Sequence, residues 1–321
     1  MTGISPESLA LLVAATLNAG TVVGLAALGL LINERSGVVN LGAEGMMLVA
    51  AFAGFAVGVN TGSDWLAFGA GALAGMAMAA VFGVLVIWLN TNQYATGLAL
   101  TMFGTGLSAF AGIRYTQEKL PERPHFDIPW LSDLPLVGPA LFKHHPLVYL
   151  TILLAIGMTW GLMRSRAGLV LRAVGESPES AHALGYPVRS IRLLAVVAGG
   201  ALCGLAGAYL SVAYTPLWVE GMVAGKGWIA LALTTFATWR PARVLLGWWR
   251  DDAAVSVARA GGRHPQPVVD HAAVSGHHRG AGADFAQPDL DSRQHAGLTG
   301  QTVSSWRLRA RGFTFLPLEM T

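Results

Sequence analysis

From Leu9 to Leu31 the chain carries no charged residue, and runs of similar length and character recur along most of its first 240 positions. A helix needs about 20 apolar residues to cross a hydrocarbon core roughly 30 Å thick. Backbone groups in lipid must be satisfied within the segment, so such runs are helices. Only 12% of residues are charged, against about 25% in an ordinary soluble domain. These features predict an all-α fold, a polytopic membrane helix bundle. Spans are expected at Leu9–Leu31, Leu41–Val59, Trp65–Leu89, Ala95–Ile113, Pro146–Met163 and Leu193–Tyr214. The shorter apolar piece Trp228–Ala237 is either a seventh span or a re-entrant segment. The first run is too long for a signal peptide and lacks a basic leader, so it reads as a span.

The stretch Ile32–Met47, INERSGVVNLGAEGMM, is the polar joint between the first two spans. It holds Glu34, Arg35, Glu44 and three glycines, Gly37, Gly42 and Gly45. Asn40 and Glu44 are four apart and share one helical face. Two readings stand for them. Asn40 caps the second span while Glu44 sits in its positive first turn, or both line a polar solute path, with Asn92 and Gln93 as further candidates. Gly71 and Gly75 are four apart, and Gly104, Ser108 and Gly112 repeat that spacing. Small residues at this spacing let helix backbones approach closely.

Orientation follows from basic residues in short loops. Residues 164–192 contain Arg164, Arg166, Arg172, Arg189 and Arg192 against Glu176 and Glu179, so this stretch is expected in the cytoplasm. The proline-rich loop 114–145 has balanced charges and is expected outside. Counting back puts Glu34 and Arg35 in the cytoplasm and the N-terminus outside. Within 166–188, Ser177 is placed to cap a short helix with Pro178 at its first position, and Gly185 to end it. Such a helix suits docking into another protein, or resting on anionic headgroups.

Catalytic chemistry finds no support. HExxH, paired CxxC and GxSxG are absent, and the glycines from Gly221 to Gly227 have the wrong spacing for a phosphate loop. A single cysteine, Cys203, excludes a Cys-rich metal site. The expectation is no enzyme, no catalytic residue, no cofactor, no metal and no nucleic-acid partner.

Composition changes after Gly247. From Trp248 the chain has no span, holds five of its nine histidines, and has eight arginines with no lysine. Permitted codons for this stretch, read one nucleotide out of register, encode a run MLPYLATIAVLVLI followed by VNMPASLGKPF. An apolar run with a basic residue on its predicted inner side is what a further membrane segment requires. Residues 248–321 are therefore expected to be an aberrant, disordered tail from a frameshift. About nine spans are expected with the frame restored.

INERSGVVNLGAEGMM resembles the signature between early spans in permease subunits of ABC importers for simple sugars and nucleosides, a branch of the branched-chain amino acid-type permeases. GLVLRAVGESPESAHALGYPV is similar to their cytoplasmic coupling loop, and GWIALALTTFATWRP to their late segment. The resemblance is closest to the nucleoside-type branch and makes residues 1–247 a transmembrane permease domain. It implies an ATPase-coupling role for Arg172, Gly175, Glu176, Ser177, Pro178, Glu179, Ala181 and Gly185. It also implies four-part assembly in the lipid of a bacterial inner membrane: this permease, a second homologous permease, an ABC ATPase and an extracytoplasmic solute-binding protein. An ion-coupled secondary transporter and a non-transporting membrane assembly protein are the competing expectations.

Overall fold

The computed structural model describes residues 6–121, 126–127 and 142–244. The tail from Trp248 and most of the loop 114–145 lie outside the described residues. The named elements among the described residues are helices apart from a two-residue antiparallel strand pair. In order, the elements are α1 (Pro6–Arg35), α2 (Ala43–Thr61), α3 (Asp64–Gly83), α4 (Gln93–Gly112), β1 (Phe126–Asp127) and β2 (Lys143–His144). They continue with α5 (Pro146–Arg164), α6 (Arg166–Glu176), α7 (Pro178–Ala183), α8 (Val188–Tyr209) and α9 (Lys226–Phe236). A wider helical turn extends α3 to Trp88 and another extends α8 to Tyr214.

Six helices, α1 to α5 and α8 with their extensions, are long and apolar enough to cross a membrane. These match the six long runs in the sequence. The seventh apolar piece resolves as α9, whose 11 residues rise only about 16 Å at 1.5 Å per residue. That is half a crossing.

Backbone proximity holds the core together. A Cβ on Gly75 would collide with the carbonyl of Gly200, and one on Gly204 with the carbonyl of Gly71, so α3 and α8 touch through their glycines. Gly104, Ser108 and Gly112 form the buried face of α4. Gly104 meets Gly45 of α2, and Gly112 meets the indole of Trp218. Helices without side-chain bulk at the contact gain van der Waals packing where lipid offers no hydrophobic drive.

One element was hidden in the polar stretch 164–192. Residues 166–176 form the amphipathic helix α6, not loop. Its apolar positions Ala167, Val170, Leu171 and Val174 follow helical spacing, and Val174 is fully buried.

Candidate functional site

The first joint is not a simple turn between spans. α1 stops in a Schellman arrangement: Val38 N–H reaches Asn33 C=O, Gly37 N–H reaches Glu34 C=O, and Gly37 takes φ +82°. The chain then runs extended beside the start of α4. Val39 N–H donates to Gln93 Oε1 at 3.0 Å, and Thr101 Oγ1 donates to Leu41 C=O at 3.0 Å. Asn40 is fully buried. Its Oδ1 accepts from Gly42 N–H at 2.9 Å, and its Nδ2 faces Met46 Sδ at 3.5 Å. Asn92 caps α4, accepting from the N–H groups of Tyr94 and Ala95. Asn40, Asn92 and Gln93 thus all bond to backbone.

Glu44 differs. Its Oε1 accepts from Gly225 N–H at 2.8 Å, at the start of α9. A Cβ on Gly227 would lie 2.7 Å from Glu44 Cβ, so only glycine permits this approach. Glu44 Oε2 is buried and has no hydrogen-bond partner among the described residues.

The separation of Glu44 from Arg35 follows from α9. That helix runs parallel to α1: Thr234 Oγ1 donates to Ala27 C=O, and five residues on Trp239 meets Glu34 and Arg35. Its other end rests on Glu44, about 16 Å from Arg35 along a helix of this length. That distance is about half the thickness of a hydrocarbon core, roughly 30 Å. Glu44 sits in the first turn of α2, as one of its two readings has it, and residues 36–42 run beside α4 before α2 begins. The N-termini of α2 and α9 therefore meet at Glu44. Helix N-termini carry partial positive charge, and interrupted helices meeting at the midplane are how many transporters build a solute site.

At the Arg35 end, α6 and α7 form a bracket. Ser165 Oγ accepts from Gly168 N–H at 3.0 Å and starts α6. Pro178 opens α7 as expected, and Gly185 (φ +86°) closes it in a second Schellman arrangement. Ser177 occupies the cap position, but its hydroxyl bonds Ser180 Oγ at 2.7 Å rather than a backbone N–H. That corrects its capping role. Glu176 and Glu179 are exposed and Ala181 is buried. Leu184, 77% exposed, and Tyr186 present an apolar tip beside them.

Sequence reading overlooked the contacts that tie this bracket down. Gly175 lies against Arg35 so closely that a Cβ would collide with its carbonyl. Arg192 Nε donates to Ser36 C=O at 3.0 Å, and Nη2 to Val174 C=O at 3.4 Å. Arg35 donates twice to Trp239 C=O, at 3.1 and 2.8 Å, and the Trp239 indole N–H donates to Glu34. Glu34, Arg35, Arg172, Gly175, Glu176 and Trp239 line a cleft of about 120 Å³. Each partner stood in a separate motif; no local signal pairs residues 204 positions apart.

The family described as branched-chain amino acid transport system / permease component matches residues 12–248. TsgC13 of Haloferax volcanii, provisionally described as a glucose ABC transporter permease protein, is 51% identical over 238 residues, 73% of this chain and 72% of that protein. The guanosine ABC transporter permease NupQ of Bacillus subtilis is 32% identical, over 73% of this chain and 77% of its own length. The nucleoside ABC transporter permease NupC of Lactococcus lactis is 30% identical, over 81% and 85%. A multi-pass helix bundle with interrupted helices and no catalytic motif fits these relatives, which are transport components and not enzymes. The chain belongs to the branched-chain amino acid transport system permease family, as an ABC transporter permease of the sugar and nucleoside type.

Proposed function

We propose that this permease imports a nucleoside or related small polar solute across the bacterial inner membrane. A separate ATPase docks on α7, a second related permease completes the pathway, and an extracytoplasmic binding protein delivers the solute. The observation that carries this reading is Glu44, a carboxylate with one oxygen unshared at the meeting point of two helix N-termini; a place about 16 Å from Arg35 along α9 puts it toward the middle of the bilayer in this reading. That oxygen accepts hydrogen bonds from hydroxyl or N–H donors, which ribose, sugars and nucleobases all offer. The arginine-rich stretch 164–192 supports a cytoplasmic bracket, and the exposed Leu184 and Tyr186 give α7 apolar surface for a partner. Asn40 and Gln93 hold the backbone that leads into α2, and Asn92 caps α4, so in this reading none of the three is the contact itself.

Uptake of labelled guanosine and glucose by cells carrying the permease with its neighbouring transport genes tests the reading. ATP-dependent uptake of a nucleoside is the expected result. Uptake that survives ATP depletion and collapses with an uncoupler would favour the ion-coupled alternative, which the family assignment disfavours. Glu176→Ala with Gly185→Trp is expected to abolish ATP-driven uptake while leaving solute capture by the binding protein intact.

We further propose that residues 248–321 are read out of frame. The family match ending at residue 248 supports this boundary. Resequencing the gene decides it, since an unbroken frame encoding the same tail in related strains sinks the idea.

A further inference from the structure

Two observations about α9 belong together. At its outer end, Gly225 N–H holds Glu44. At its inner end, Trp239 is gripped by Glu34 and Arg35, which sit on α1 directly against Gly175 of α6. The inner end also carries backbone strain. Thr238 and Trp239 have φ of +51° and +53°. Trp239 N–H bonds Thr234 C=O and Thr238 N–H bonds Thr235 C=O, so threonine stands where such a stop normally takes glycine. Left-handed backbone at a non-glycine residue persists only when its surroundings enforce it. Here the enforcing groups are Arg35 on the Trp239 carbonyl, Glu34 on its indole, and Arg243, whose Nη1 donates to Thr238 Oγ1 at 2.6 Å.

We propose that α9 is a lever and that Glu34, Arg35 and Trp239 are positioning residues for the Glu44 contact. Displacement of α6 and α7 reaches Arg35 through the Gly175 contact, passes to Trp239 through the latch, and moves Gly225 against Glu44. Release of the latch lets residues 238–239 relax from the left-handed region, so α9 shifts as a rigid half-helix. This rests on the reading of Glu44 as the solute contact. It adds the route by which the cytoplasmic bracket reaches that contact.

The test uses the full chain in lipid nanodiscs with Cys203→Ser and a reporter, Met222→Cys, beside Gly225. The readout is the alkylation rate of the reporter by a water-soluble maleimide, which requires neither solute nor ATPase. Arg35→Leu and Glu34→Leu are each expected to raise that rate about tenfold, the scale set by losing a hydrogen bond to a charged group. Arg35→Lys, which keeps a donor, falls between these and the parent. A second reporter, Ser108→Cys on the buried face of α4, is expected to keep its slow rate in every variant. An unchanged rate at position 222, or an equal rise at position 108, overturns the lever; the latter makes the latch ordinary structural support. Because the readout is independent of uptake, a reporter that responds in a chain that transports nothing keeps the lever and removes the solute role of Glu44.

Discussion

Asn40 gives both ends of its amide to the protein, whereas Glu44, four residues on, keeps one carboxylate oxygen unshared. Asn40 lies on the segment between α1 and α2 and Glu44 in the first turn of α2, and both are polar groups placed among apolar helices. The difference is in what they satisfy. Asn40 holds a backbone N–H that would otherwise be orphaned at the start of α2. Glu44 is held by a backbone N–H of another helix and leaves acceptor capacity over. A buried polar group that is fully paired stiffens a scaffold, and one that is partly paired needs another explanation. The comparison makes Asn40 and Gln93 groups that hold backbone, and leaves Glu44 with acceptor capacity over.

The sharpest way to break this comparison is to push the two helix starts apart. Gly227→Leu places a side chain where Glu44 Cβ and N are each 2.7 Å from a new Cβ. In the frame-restored protein, uptake is expected to vanish, with the folded yield reduced by overpacking of about 1–3 kcal/mol. Glu44→Ala comes next. It removes the unshared acceptor and is expected to lower uptake about a hundredfold, the loss of a buried charged hydrogen bond of up to ~3 kcal/mol. Gly225 N–H also loses its acceptor, so the readout is uptake per folded molecule, and Glu44→Gln, which keeps an acceptor, should recover part of it. Wild-type uptake by Glu44→Ala would move the solute contact elsewhere.

Asn40→Ala should show the reverse pattern. Gly42 N–H is left buried without its acceptor, which costs about 1–3 kcal/mol. Thermal unfolding in detergent should shift down, while uptake per folded molecule stays near normal. A normal unfolding temperature with lost uptake would return Asn40 to the solute path.

The spans, the glycine faces and the stop of α7 at Gly185 were legible because each depends on local spacing. A 20-residue apolar run and a proline–glycine bracket carry their own physical cause. The helix α6 was equally periodic, but its arginines disguised it as loop; Ala167, Val170, Leu171 and Val174 were the signal to weigh. The meeting of Glu44 with Gly225 had no such signal. It depends on residues 36–42 folding back along α4, and on α9 being too short to cross, so it is a property of the assembled bundle. The grip of Arg35 on Trp239 was hidden for the same reason. Position along the membrane normal is fixed by which helices start late, and hydropathy averages over that.

Gln93→Ala gives the smallest effect and the finest test of the groups that hold backbone. Gln93 Oε1 receives Val39 N–H at 3.0 Å and is half-buried, so its loss is expected to cost about 1 kcal/mol, the net worth of a neutral hydrogen bond. Val39 and Asn40 lie on the same returning strand of chain, within one shared set of bonds to α4 and α2. Neighbouring sites in one network do not add. The double variant Asn40→Ala with Gln93→Ala should therefore lose less stability than the two single losses combined, because the segment is already released by the first. Paired with Glu44→Ala, Gln93→Ala should instead add in full, since the carboxylate contributes to uptake and not to holding the strand. Strong coupling of Gln93 to Glu44, read as non-additive uptake, would merge backbone support and contact into a single polar site.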